Sequence, residues 1–183
     1  MANIIYCTYA VKAATENVLD YVNEGLKNLG LGTMENIKDG IGCLWNGNNH
    51  VVMSTFCPIS DAFDVDSEVL LQSYNTDVAK GVTTVYMLGE TRGYIPYRWL
   101  KYIKGKYNLN VFIFARDDMH NFQVFGEIDS VDYDYAKNYF REHQPKPEDF
   151  NDRNDFDEAW VKFLNELYSG LHDRFEECVE GGV

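Results

Sequence analysis

Ten carboxylates lie within thirty residues of the chain's second half: Asp129, Asp132, Asp134, Glu142, Glu148, Asp149, Asp152, Asp155, Asp157 and Glu158. Tyr133, Tyr135 and Tyr139 are interleaved with the first of them. Carboxylates at this density can imitate the charge of a nucleic-acid backbone and occupy a basic cleft, and tyrosine is a residue type that often dominates protein interfaces. Asp132, Asp134, Asp149, Asp152, Asp155, Asp157 and Glu158, with the three tyrosines, are therefore the candidate partner-binding residues. The plainer account of the same acids is a solvated helix face that keeps the protein in solution.

A second cluster has the opposite sign. Arg92, Arg98, Lys101, Lys104 and Lys106 put five bases into fifteen residues with no acid among them. Beside aromatic strands, such a patch is what a sheet-based reader of single-stranded RNA or DNA uses, stacking bases on rings and holding phosphates with cations. The glycine-containing aromatic strand of those readers is missing, and a net charge of -13 opposes the approach of nucleic acid. The cluster reads better as the outer face of an amphipathic helix, with lysine stems lying over apolar surface.

Catalytic patterns are absent. There is no G-x-S-x-G, no glycine-rich phosphate loop and no H-E-x-x-H. Asp117, Asp118 and His120 offer three ligands at a hairpin tip, but no fourth ligand is indicated, and aspartates in turns commonly bond their own backbone. Cys7, Cys43, Cys57 and Cys178 contain no close pair, and His50, His120, His143 and His172 are far apart. Cys7 or Cys57 could serve as a nucleophile with one of these histidines, although strand cysteines mostly pack. No catalytic residue, metal site or cofactor is assigned.

The elements that must position these groups are clearest from Thr83 to Ile128. Val85–Leu88 is a short apolar strand, Pro96 opens a helix with Trp99, Leu100 and Ile103 on one side, and Leu109–Ala115 is a second strand. The polar run Asp117–Asn121 then turns the chain into a third strand, Phe122–Ile128. The two hairpin strands have two apolar faces. Leu109, Val111, Ile113 and Ala115 alternate with Phe112 and Phe114, while Phe122, Val124 and Ile128 alternate with Gln123 and Phe125. A sheet with helices on one side only would show polar residues on its free face, so something must cover Phe112, Phe114 and Phe125. The last helix is the candidate, because Phe156, Trp160, Phe163, Leu164, Leu167, Leu171 and Phe175 form one stripe, with Asn154 or Asp155 as its cap.

Upstream, Asn3–Val11 reads as a strand. The next helix has Val18, Leu19, Val22, Leu26 and Leu29 on one face, Thr15 as its cap and Gly30 as its stop. Gly30–Asn49 reads as a glycine-rich irregular stretch, His50–Phe56 as a strand ended by Pro58, and Phe63–Tyr74 as a helix. Downstream, Val131–His143 reads as a short helix, followed by the breaker Gln144–Pro147.

The length of 183 residues fits one packed unit, and 45% apolar with 15% aromatic content excludes global disorder. Residues 127–183 hold 16 acids against 6 bases, a net of -10, which leaves -3 for residues 1–126. The acidity therefore belongs to the tail. No basic leader precedes an apolar segment, and no apolar run approaches the ~20 residues of a membrane span. The thiols show no metal-clamp spacing, so the expectation is a cytoplasmic protein with reduced cysteines, of a bacterial cell or a phage-infected host.

The element order is that of a ferredoxin-like α+β fold, an antiparallel sheet with helices on one face, here with an additional C-terminal amphipathic helix. Residues 1–128 would form the core, with an irregular insertion near 30–80, and 129–183 an acidic helical tail packed on it. Met1-Ala2-Asn3 before a strand, the His50-to-Pro58 strand, Glu90–Leu100 (ETRGYIPYRWL) and Lys106-Tyr107-x-Leu109 together resemble the Api-like ferredoxin-fold domains of unknown function. The chain departs from that pattern in having Gly93-Tyr94-Ile95-Pro96 where the family shows Trp-Ser-Pro-Pro, and in its tail from Asp129. The resemblance implies an accessory protein of phages, plasmids or other mobile elements and carries no active site. The expectation is thus a non-enzymatic protein that binds another protein, as an inhibitor of a host defence nuclease of anti-CRISPR or anti-restriction type. Its partner would be a nucleic-acid-binding host protein with a basic cleft. The alternatives are a small intracellular enzyme with an unrecognised site and a single-strand RNA- or DNA-binding module using the basic helix.

Overall fold

A computed structural model describes residues 4–28, 51–52, 70–71, 76–79, 81–92, 95–117 and 123–182. In chain order the elements are β1 (Ile4–Ala14), α1 (Thr15–Asn28), β2 (Val51–Val52), β3 (Leu70–Leu71), β4 (Thr76–Ala79) and β5 (Val82–Arg92). They continue with α2 (Tyr97–Tyr107), β6 (Asn110–Asp117), β7 (Gln123–Glu127), α3 (Asp134–His143), a 3-10 turn (Pro147–Asp149) and α4 (Arg153–Gly181). The main sheet has five strands in the order β4-β5-β1-β6-β7, and β2 pairs with β3 apart from it. All pairings are antiparallel. With β7 set aside, the order and the helix placements are those of a ferredoxin-like α+β sandwich.

Local chemistry explains most of the boundaries. β1 is rich in β-branched and aromatic residues and, as the central strand, is paired on both sides. Both β1 and β5 run past their expected ends, because each gains a long partner in the other. Thr15 is the first residue of α1, and its hydroxyl lies 2.9 Å from that of Thr83, a bond across to β5 in place of the expected cap. Helix α2 follows Pro96 and ends at Asn108, whose left-handed conformation (φ 52°) lets the chain drop directly into β6. Helix α4 starts at Arg153 and is capped by Asp152, whose carboxylate accepts from the Asn154 N–H at 3.0 Å. The cap thus lies two residues before Asn154, where the carboxylate can reach the first free N–H groups.

One expected helix is corrected. Leu70–Leu71, placed in a helix over Phe63–Tyr74, is extended and pairs with Val51–Val52. A short apolar run carries no period of its own, and the available strand partner decided it. The remainder of that segment, the stretch Gly30–Asn49, Cys43, His50, Cys57, Asp118, His120 and Phe122 lie outside the described residues.

Alternation along the sheet separates two cores. On one side, Ile5, Cys7, Tyr9 and Val11 of β1 pack with Val111, Ile113 and Ala115 of β6 beneath Val18, Tyr21 and Val22 of α1 and Trp99, Leu100 and Ile103 of α2. On the other, Ala10, Phe112 and Phe125 are buried under Leu167, Leu171, Phe175 and Val179 of α4, with Phe114 and Tyr86 partly buried beside them. The second apolar face of the hairpin is thus covered by the last helix, as its pattern predicts. Phe175 is fully buried, its ring 6.3 Å from Phe114 and 6.4 Å from Tyr86 between centroids. At the end of α4, Lys12 Nζ donates to the carbonyls of Val179 and Glu180 at 2.8 and 3.0 Å, satisfying last-turn groups that the helix cannot satisfy itself.

Candidate functional site

The acidic residues are positioned by α3, the connection after it and the first turns of α4. Along β6, Gly182 approaches Phe112, Phe175 meets Phe114 and Tyr168 meets Arg116, so α4 runs antiparallel to that strand. Because β6 ends at Asp117, the part of α4 before Tyr168 extends past the strand's end. Arg153–Lys162 contains no buried residue, and beyond its own helix its rings meet α3 and the connection. Phe140 of α3 lies 4.9 Å from Phe163 and 6.4 Å from Trp160, and Phe150 lies 5.8 Å from Phe156. Two helices are thereby joined by rings into a projection whose outer surface carries the acids.

The sequence candidates divide by role. Asp132 is structural: its carboxylate accepts from the Asp134 and Tyr135 N–H groups at 2.8 and 2.9 Å, starting α3. Its backbone pairs with Phe125, which closes part of the outer edge of β7. Gly126 permits that return, since its φ of +129° suits glycine and a Cβ would come within 3.1 Å of the Ser130 carbonyl oxygen. Asp152 is the α4 cap. Asp134 and Asp155 occupy first turns, where the helix dipole favours negative charge. Glu148, Asp149, Asp155, Asp157 and Glu158 are all exposed, and among the described residues only Asp157 of these five approaches a base, Arg153, at 3.9 Å.

Of the three tyrosines, Tyr133 is half exposed and its hydroxyl meets that of Tyr97 at 2.5 Å. Burial, with the Tyr133 hydroxyl adding to it, pushes the Tyr97 phenol well above its ordinary value. Tyr135 and Tyr139 face inward. Tyr135 stands edge-on to Phe125 and carries Arg174 over its ring, while Tyr139 stacks on Phe163 and His143. Their part is to fasten α3 to α4.

The basic cluster is largely neutralised by the chain itself. Lys104 Nζ reaches Glu127 at 2.5 Å and Asp129 at 2.7 Å, Lys101 reaches Asp129 at 3.5 Å, and Lys106 reaches Glu24 at 2.5 Å. Desolvation pulls the Lys104 ammonium down, but its bonds to Asp129 and Glu127 more than reverse this and hold it above its ordinary value. The Lys104 bond likewise holds the Asp129 carboxyl below the usual range. Arg98 is exposed, and Arg92 closes β5. These acids come from α1 and from the end of β7, so the pairing could not be seen in the local composition of the cluster.

Among the described residues no group of His, Cys, Asp and Glu could hold a metal ion, and no helix is long and apolar enough to cross a membrane. Cys7 is buried in the sheet and Cys178 half-buried on α4, where burial pushes its thiol up. His143 stacks on Tyr139, and His172 lies 3.8 Å from Glu176. Asp117 is buried at the end of β6. Comparison with known proteins finds no matching family model, no matching curated protein and no matching solved structure.

Proposed function

We propose that this chain is a non-enzymatic binding protein that presents the acidic α3–α4 projection to a basic partner. The observation that carries the reading is the contrast between two charge clusters. Lys101, Lys104 and Lys106 are answered by the chain's own carboxylates, whereas Glu148, Asp149, Asp155 and Glu158 are exposed with no ion pair among the described residues. Aromatic packing joins the connection and α4, which carry these acids, to α3, so their array is ordered before any partner arrives and little ordering remains to be done on binding. In the mobile-element setting that the resemblance implies, the fitting partner is the nucleic-acid cleft of a host defence nuclease, where an ordered row of carboxylates substitutes for phosphates.

The test replaces Glu148, Asp149, Asp155, Asp157 and Glu158 by Gln or Asn and leaves Asp132 and Asp152 in place, because those two start helices. Wild type should capture a nucleic-acid-binding protein from host lysate at low salt and release it at high salt. The neutralised variant, with an unchanged unfolding midpoint, should capture none. Equal capture by the two proteins refutes the role of the projection.

A further inference from the structure

We draw no further inference here: the strongest candidate, the row of half-buried rings Phe150, Phe156 and Trp160 beside the exposed carboxylates at the start of α4, belongs to the acidic projection already described, and nothing in the structure shows what covers it.

Discussion

Replacing Phe175 by Ala tests the seat of α4 most directly. The side chain is fully buried and packs with Phe114 and Tyr86 of two different strands. Truncating a buried Phe to Ala costs about 3–5 kcal/mol, from the lost transfer energy and from the cavity left where neighbours cannot collapse. Here the neighbours lie on two strands, and the helix is held on either side of Phe175 by buried Leu171 and Val179, so collapse is limited and a value near 4 kcal/mol is expected. A domain of this size shifts by about 2–4 °C per kcal/mol, which puts the fall in Tm at roughly 8–16 °C. Urea denaturation followed by circular dichroism gives the free energy. The slope of the transition should also stay close to wild type if α4 still unfolds with the sheet. As a control, Val161→Ala, at a side chain 58% exposed on the same helix, should stay within about 0.5 kcal/mol of wild type. A loss below about 1 kcal/mol for Phe175→Ala would show that the helix does not seal the aromatic face.

Three further perturbations probe separate joints. Lys12→Met keeps the apolar stem but removes two bonds to the end of α4. It should cost about 1–2 kcal/mol and speed amide exchange in the last turn, and unchanged exchange would count against the clamp. At Gly170 a Cβ would come within 2.8 Å of the Tyr135 hydroxyl, whose ring is wedged among Phe125, Tyr139 and Arg174. Gly170→Ala alone should therefore forfeit the helix-propensity gain of about 1 kcal/mol and recover it when combined with Tyr135→Phe; a full gain in the single variant would show that the ring moves freely. Asp129 has its folded-state pKa lowered by Lys104, so it stabilises the fold above its ordinary carboxyl range, and that contribution fades as pH falls through the lowered value. The pair is exposed and the effect should stay below about 1 kcal/mol. Asp129→Asn should nevertheless flatten the loss of urea stability between about pH 5 and pH 3, and parallel profiles for the two proteins would exclude the pair as a contributor.

Much of the fold was legible because its signals are local. The alternation of Phe112, Ile113 and Phe114, the stripe from Phe163 to Phe175, and Pro96 before Trp99 each reflect the period of one element. Two apolar faces on one hairpin even required a cover, and the same chain contained an amphipathic helix able to provide it. Leu70–Leu71 departs from the expected helix for the complementary reason, since a short apolar run has no period and takes its conformation from a partner, here Val51–Val52.

The sites depended on the third dimension far more. Composition located the acids but could not sort them. Only the folded chain turns Asp132 and Asp152 into helix starts, Tyr135 and Tyr139 into packing, and Glu148 to Glu158 into an ordered outer surface. The basic cluster changed meaning when Glu24, Glu127 and Asp129 arrived beside it from other elements. Hydrophobic period is a property of neighbouring residues and survives in one dimension. Charge pairing and ring contact are properties of distance in space, and the tertiary structure sets those distances.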